Sequence, residues 1–152
     1  MTGDGVGTEY VEANGARIPS VGLGTWQLTG TACYETVSTA LELGYRHVDT
    51  AQLYDNEREV GRAIADADVD REAVFLTTKV SPRNAGYDDL IASVEASLDR
   101  LDTGYVDLLL LHWPNPLVSV ESTMAAMDRL VDRGLVSHVG VSNFPQVFLE
   151  RA

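Results

Sequence analysis

Two hydrophobic periods alternate along this chain. Short runs with strand character cover residues 20–23, 46–50, 74–80, 107–111 and 137–141. Between them apolar residues return every three or four positions, as on one face of a helix. The four sets are Cys33, Val37, Ala40 and Leu41; Val60, Ala63, Ile64 and Ala67; Leu90, Ile91, Val94, Leu98 and Leu101; and Val120, Met124, Met127, Leu130 and Val131. Four helices therefore separate five strands, and a fifth helix begins near Pro145. The helix ends carry their own signals. Asn56 and Glu59 have capping-box spacing, Asp88 is placed to cap the third helix, and Gly44, Gly104 and Gly134 stand where a left-handed residue closes a helix. Ahead of all this, two short strands flank Asn14-Gly15, a dipeptide that supplies positive φ in a two-residue turn, so a hairpin over 9–18 is predicted.

Strict β-α-β-α alternation implies parallel strands joined by right-handed crossovers, an α/β protein. Asp107-Leu108-Leu109-Leu110-Leu111 is the nearly continuous apolar run of a strand buried on both faces. A doubly wound open sheet and a β/α barrel of the TIM type both satisfy this pattern. The chemistry at the strand ends separates them. Thr25-Trp26, Asp49, Lys79, His112 and Ser142-Asn143 each end one of the five strands, at spacings of about 30 residues, one β/α unit each. In a barrel such positions ring a single mouth, where active sites lie.

Each of these residues has an ordinary reading. His112 could be a core histidine bonded to backbone, Asp49 a cap, Lys79 a solvated strand end, Tyr54 a loop aromatic. Together they read differently. Ten of the eleven basic residues are arginine, and Lys79, the single lysine, sits in an apolar strand between Thr78 and Val80. An ammonium is a compact point charge that a guanidinium does not replace in tight geometry. A phenol with a pKa of about 10 is a poor acid near neutrality, and a neighbouring ammonium favours its phenolate. Lys79 would supply that charge to Tyr54, Asp49 would keep Lys79 ionised, and a neutral His112 would grip and polarise a substrate oxygen.

The segments Gly22-Leu23-Gly24-Thr25-Trp26, Gly44-Tyr45-Arg46-His47-Val48-Asp49-Thr50-Ala51, Tyr54 with Asn56-Glu57, Thr77-Thr78-Lys79-Val80, Leu111-His112-Trp113-Pro114 and Gly140-Val141-Ser142-Asn143-Phe144 resemble the aldo-keto reductases. Within that family the chain is most similar to the 2,5-diketogluconate reductase and prostaglandin F synthase-like branch. The resemblance implies a catalytic tetrad of Asp49, Tyr54, Lys79 and His112, with Tyr54 protonating the carbonyl oxygen as hydride arrives from a nicotinamide. It implies Ser142 and Asn143 on the nicotinamide carboxamide, Thr25 and Asp49 beside the nicotinamide ribose, and Trp26, His112 and Trp113 around the substrate, a small carbonyl compound. NADPH is the expected cofactor, with NADH left open. Gly22-Leu23-Gly24 is no dinucleotide fingerprint, since Gln27 occupies its third glycine position.

Composition narrows the picture. At 152 residues and 45% hydrophobic content the chain has the size of one domain, 1–152, able to bury a core. A net charge of −12 argues against nucleic acid or an anionic membrane surface as partner, and its arginine-for-lysine bias under an excess of carboxylates resembles adaptation to concentrated salt. One cysteine, the lack of a Cys/His metal pattern and the lack of an apolar export or membrane segment fit a reducing cytoplasm and a site without metal. A TIM barrel takes eight β/α units and about 250 residues, so about five units are present and the domain reads as truncated. Three readings stay open: a truncated gene product, a fragment completed by another polypeptide, and a half-barrel that associates with itself through its open edges.

Overall fold

Why the hydrophobic period switches so regularly is visible in a computed structural model, which describes residues 9–152. A hairpin opens it: β1 (Tyr10–Ala13) pairs antiparallel with β2 (Ala16–Pro19). Asn14 and Gly15 turn the chain with φ of 45° and 82°, in the left-handed region that asparagine tolerates and that glycine, lacking a Cβ, enters freely. Five strands then form one parallel sheet: β3 (Leu23–Gly24), β4 (His47–Asp49), β5 (Phe75–Val80), β6 (Val106–Leu111) and β7 (Val136–Val141). The crossovers contain α1 (Gly30–Glu42), α2 (Glu57–Asp66), α3 (Tyr87–Leu101) and α4 (Val120–Asp132), and α5 (Gln146–Leu149) follows β7.

Strand order in the sheet is the order in the chain, β3-β4-β5-β6-β7. A doubly wound sheet reverses direction at a switch point and divides its helices between two faces. Here no reversal occurs, and α1 packs on α2, α2 on α3 and α3 on α4 in an unbroken row. That is the wall of a β/α barrel with its helices outside. The core lies between the two layers. Leu76 and Leu109 on the strands meet Val37, Leu41, Val60, Leu90, Val94, Met127 and Leu130 on the helices, all 1% exposed or less. Gly61 lets α2 pass close to α3, because any Cβ there would overlap the Leu101 carbonyl. Cys33 lies in this core, and burial, with Glu59 nearby, pushes its thiol up to about 11.

Several predicted boundaries move, each for a local reason. The first sheet strand is Leu23–Gly24, not 20–23, because Ser20 still belongs to the hairpin: its N–H and hydroxyl both donate to the Glu9 carbonyl, at 2.9 and 3.0 Å. Gly86 rather than Asp88 precedes α3, and Asp88 lies in the first helical turn. The left-handed residue closing α3 is Asp102, φ 50°, rather than Gly104, whereas Gly44 and Gly134 take the positive φ expected of them. Asn56 does precede α2, yet its side chain makes no capping bond. Among the described residues no helix is long and apolar enough to cross a membrane, and no cluster of three or more His, Cys, Asp or Glu could hold a metal ion.

Candidate active site

Side chains alternate along β5, so if Leu76, Thr78 and Val80 face the helices, Thr77 and Lys79 face the barrel interior. Lys79 comes to lie beside the end of β4, where Asp49 stands. Its side chain is 8% exposed and its ammonium pairs with the Asp49 carboxylate. The same nitrogen donates to the Thr50 carbonyl at 3.1 Å and to the Tyr54 hydroxyl at 3.3 Å, which uses all three of its protons. A buried cation without such partners would be strongly destabilising.

Tyr54 is delivered by a single 3-10 turn, Gln52–Tyr54, after which Asp55 reverses the chain in the left-handed region (φ 53°) and leads into α2. This short excursion brings the phenol back over β5, with Lys79 Nζ 5.0 Å from its ring centroid. His112 follows β6 and is tied to the neighbouring strand by its N–H to the Val80 carbonyl at 3.0 Å. Its ring meets that of Tyr54 edge to face, 5.6 Å between centroids. Burial, reinforced by the Lys79 charge and opposed by Asp49, pushes the imidazole below the ordinary histidine range, so it is neutral near pH 7. Its Nδ1 is buried without a hydrogen-bond partner. Asp49, Tyr54, Lys79 and His112 thus occupy one place.

The flanking residues arrive by different routes. Thr25 is fully buried, and both its N–H and its hydroxyl donate to the Asp49 carbonyl, at 2.9 and 3.0 Å. Trp26 lies in the turn closed by the Leu28 N–H on the Thr25 carbonyl, with Gln27 at φ 65°, and is 67% exposed. Trp113 is 50% exposed and lies nearly parallel to His112, 6.5 Å between centroids. At the end of β7 the Ser142 N–H donates to the Leu111 carbonyl at 2.9 Å. Asn143, at φ 56°, donates from its amide to the His112 carbonyl and to Ser142 Oγ, both at 3.0 Å. These contacts tie Ser142 to the backbone of Leu111 and Asn143 to that of His112.

Sequence reasoning passed over what holds this mouth together. Asn56 is fully buried; it accepts from the Thr50 hydroxyl at 2.6 Å and donates at 2.9 Å to the carbonyls of both Thr25 and Leu28. It therefore pins the Trp26 turn to the Tyr54 segment. Gln52 and Glu57, on either side of Tyr54, are likewise drawn into hydrogen bonds with β5 and α3. Their closeness to Tyr54 in the chain was the available signal, and an acid in a first helical turn ordinarily reads as a solvated complement to the helix dipole.

Consecutive parallel strands with polar side chains converging at their C-terminal ends define a protein of the β/α-barrel class. The comparison with known sequences gives the family: a model of the Aldo/keto reductase family matches residues 20–152, and the chain belongs to that family. It is 49% identical over 137 residues to the methylglyoxal reductase DkgB of Salmonella typhi, covering 89% of this chain and 51% of the relative. It is 42% identical over 132 residues to the 9,11-endoperoxide prostaglandin H2 reductase of Trypanosoma cruzi, covering 86% of this chain and 46% of that protein. The solved structure of a putative 2,5-diketo-D-gluconic acid reductase B superposes with a TM-score of 0.90 at 47% identity, covering 93% of this chain and 50% of the other. The chain spans about half the length of the curated relatives it matches.

Proposed function

We propose that this chain carries the acid–base half of a site that reduces aldehydes, ketones or sugar-derived dicarbonyls to alcohols with a nicotinamide cofactor, NADPH in the first place and NADH as the alternative. The observation that supports it is the junction of Tyr54, Lys79 and Asp49, with His112 against the same phenol. A bound nicotinamide supplies the hydride. The donor set at the end of β7 suits its carboxamide: the Ser142 hydroxyl and the Asn143 amide complement a primary amide group for group. Thr25 and Asp49 then lie toward the ribose, and Trp26 and Trp113 wall the substrate space.

The chain's own residues handle the proton. Tyr54 hands its hydroxyl proton to the carbonyl oxygen as the alcohol forms, and the Lys79 ammonium stabilises the phenolate left behind. Asp49 keeps Lys79 charged and aimed. His112, neutral and able to donate from a ring nitrogen, holds the same oxygen and orients the carbonyl toward Tyr54.

A second reading has its own support. The relatives are about twice as long, and β7 presents most of its residues half-exposed, which favours a catalytically silent piece that needs a missing C-terminal half to complete the barrel or that acts by binding a partner. NADPH consumption by the purified chain in molar KCl, with methylglyoxal as substrate, separates the two when run beside Tyr54→Phe. Turnover that disappears in the variant supports the first reading. A folded, soluble chain with no turnover supports the second.

A further inference from the structure

On the helix side of β5, opposite Lys79, a chain of buried and half-buried polar side chains runs from strand to strand end. The Glu57 side chain is 2% exposed. One of its carboxylate oxygens accepts from the Thr78 hydroxyl at 2.6 Å and the other from Arg100 at 2.7 Å. Arg100 donates onward to the Ser97 hydroxyl at 3.0 Å, which also accepts from the Gln52 amide at 3.1 Å. The Gln52 carbonyl in turn accepts from the Ser81 N–H at 2.9 Å. The chain therefore begins at Thr78 and ends at Ser81, which bracket Lys79, and passes through Gln52 and Glu57, which bracket Tyr54.

Stability alone is a poor reason for such an arrangement. An ion pair with one member buried and the other a third exposed, as Glu57 and Arg100 are, adds little net stability, whereas its directional bonds fix position. Position is what the site needs. Lys79 Nζ and the Tyr54 hydroxyl stand 3.3 Å apart, near the outer edge of a hydrogen bond, and Tyr54 rides on a single turn with Asp55 reversing the chain behind it. A slip of half an ångström between that turn and β5 would part them. We propose that Gln52, Glu57 and Arg100 are positioning residues that lock the Tyr54 turn to β5 and so hold the phenol within reach of Lys79. The proposal deepens the carbonyl-reduction reading and rests on it for its catalytic meaning, though the Tyr54–Lys79 coupling it describes is measurable without turnover.

Lys79 is the single lysine of the chain, so labelling with 13Cε-lysine gives one side-chain resonance. Replacing Tyr54 by Phe moves that resonance in the parent chain. The same replacement made in Thr78→Val, which keeps strand shape but removes the hydroxyl held by Glu57, or in Gln52→Leu, should move it by less than about half as much, the loss of coupling a double-mutant cycle reads. Thr78→Ser retains the hydroxyl and should restore the full shift. With reduction measurable, Thr78→Val lowers kcat roughly tenfold while KM stays within about twofold. A Tyr54-dependent shift of equal size in all backgrounds overturns the proposal. So does loss of fold in both Thr78→Val and Gln52→Leu, which assigns the network to stability. A chain that shows the coupling but no reduction overturns the catalytic reading and leaves the positioning role standing.

Discussion

Strands β5 and β7 have the same length and the same parallel pairing, yet they live in different surroundings. Every residue of β5 from Leu76 to Val80 is buried, while in β7 only Val136 is. The former has β4 and β6 on its two sides; the latter has β6 alone. Asp49, Tyr54 and Lys79 gather around the end of the enclosed strand, and Ser142 and Asn143 sit at the end of the open one. The proposed proton-handling side of the candidate site is thus held by a strand on both flanks, and the proposed carboxamide side by one neighbour. Preorganisation, which requires that functional groups be fixed by packed and bonded supports, is built in on the first side.

The comparison is broken most directly at Tyr54. Tyr54→Phe or Lys79→Met should lower the proposed NADPH-dependent reduction by about 10²- to 10⁴-fold, the usual range for losing a general acid, with the circular dichroism spectrum unchanged. Packing comes next. Leu76→Ala in β5 should lose about 2–5 kcal/mol in urea unfolding, and Val139→Ala in β7 only about 1 kcal/mol. Equal losses would mean that the two strands are equally enclosed. On the proposed carboxamide role, Asn143→Ala should raise KM for NADPH by about tenfold and touch kcat less, since it would remove binding common to ground and transition states.

A smaller effect follows pH. Burial pushes both His47 and His112 below the ordinary histidine value. On acidification the unfolded chain takes up their protons first, at about pH 6.5, so stability is full above that value, declines as pH falls below it, and levels off beneath the folded-state values. The unfolding midpoint should drop between pH 7 and 5, and His47→Gln combined with His112→Gln should flatten that slope. The smallest change concerns salt: with a net charge of −12, the chain should unfold at a higher temperature in molar KCl than in dilute buffer. An unchanged midpoint would remove the case for salt adaptation.

The strands and helices were legible because burial imposes its period on them, and β5 and β6 were found within a residue of their limits. The choice of a barrel rested on where polar residues fell, and strict strand order supports the same choice. What could not be read were bonds between segments distant in the chain. Asn56 looked like a cap because capping is the local use of an asparagine before a helix; its actual partners, Thr25 and Leu28, are supplied by the fold. Glu57 entered the reading only as part of the Asn56-Glu57 motif, and it is the approach of Thr78 and Arg100 that makes it a bonded, buried acid. Asp102 closed α3 in place of Gly104 because the chain must turn immediately after Leu101.

A sheet whose spatial order repeats its chain order has a consequence for biosynthesis. Each strand leaving the ribosome finds its partner already made as the current edge, so no strand waits for a later one to fill a gap beside it. Pairing partners are separated by one helix and little more, which keeps loop-closure entropy small at every step. By the time His112 has emerged, β3, β4, β5 and β6 can be aligned and the Asp49–Lys79 pair closed, before Ser142 emerges.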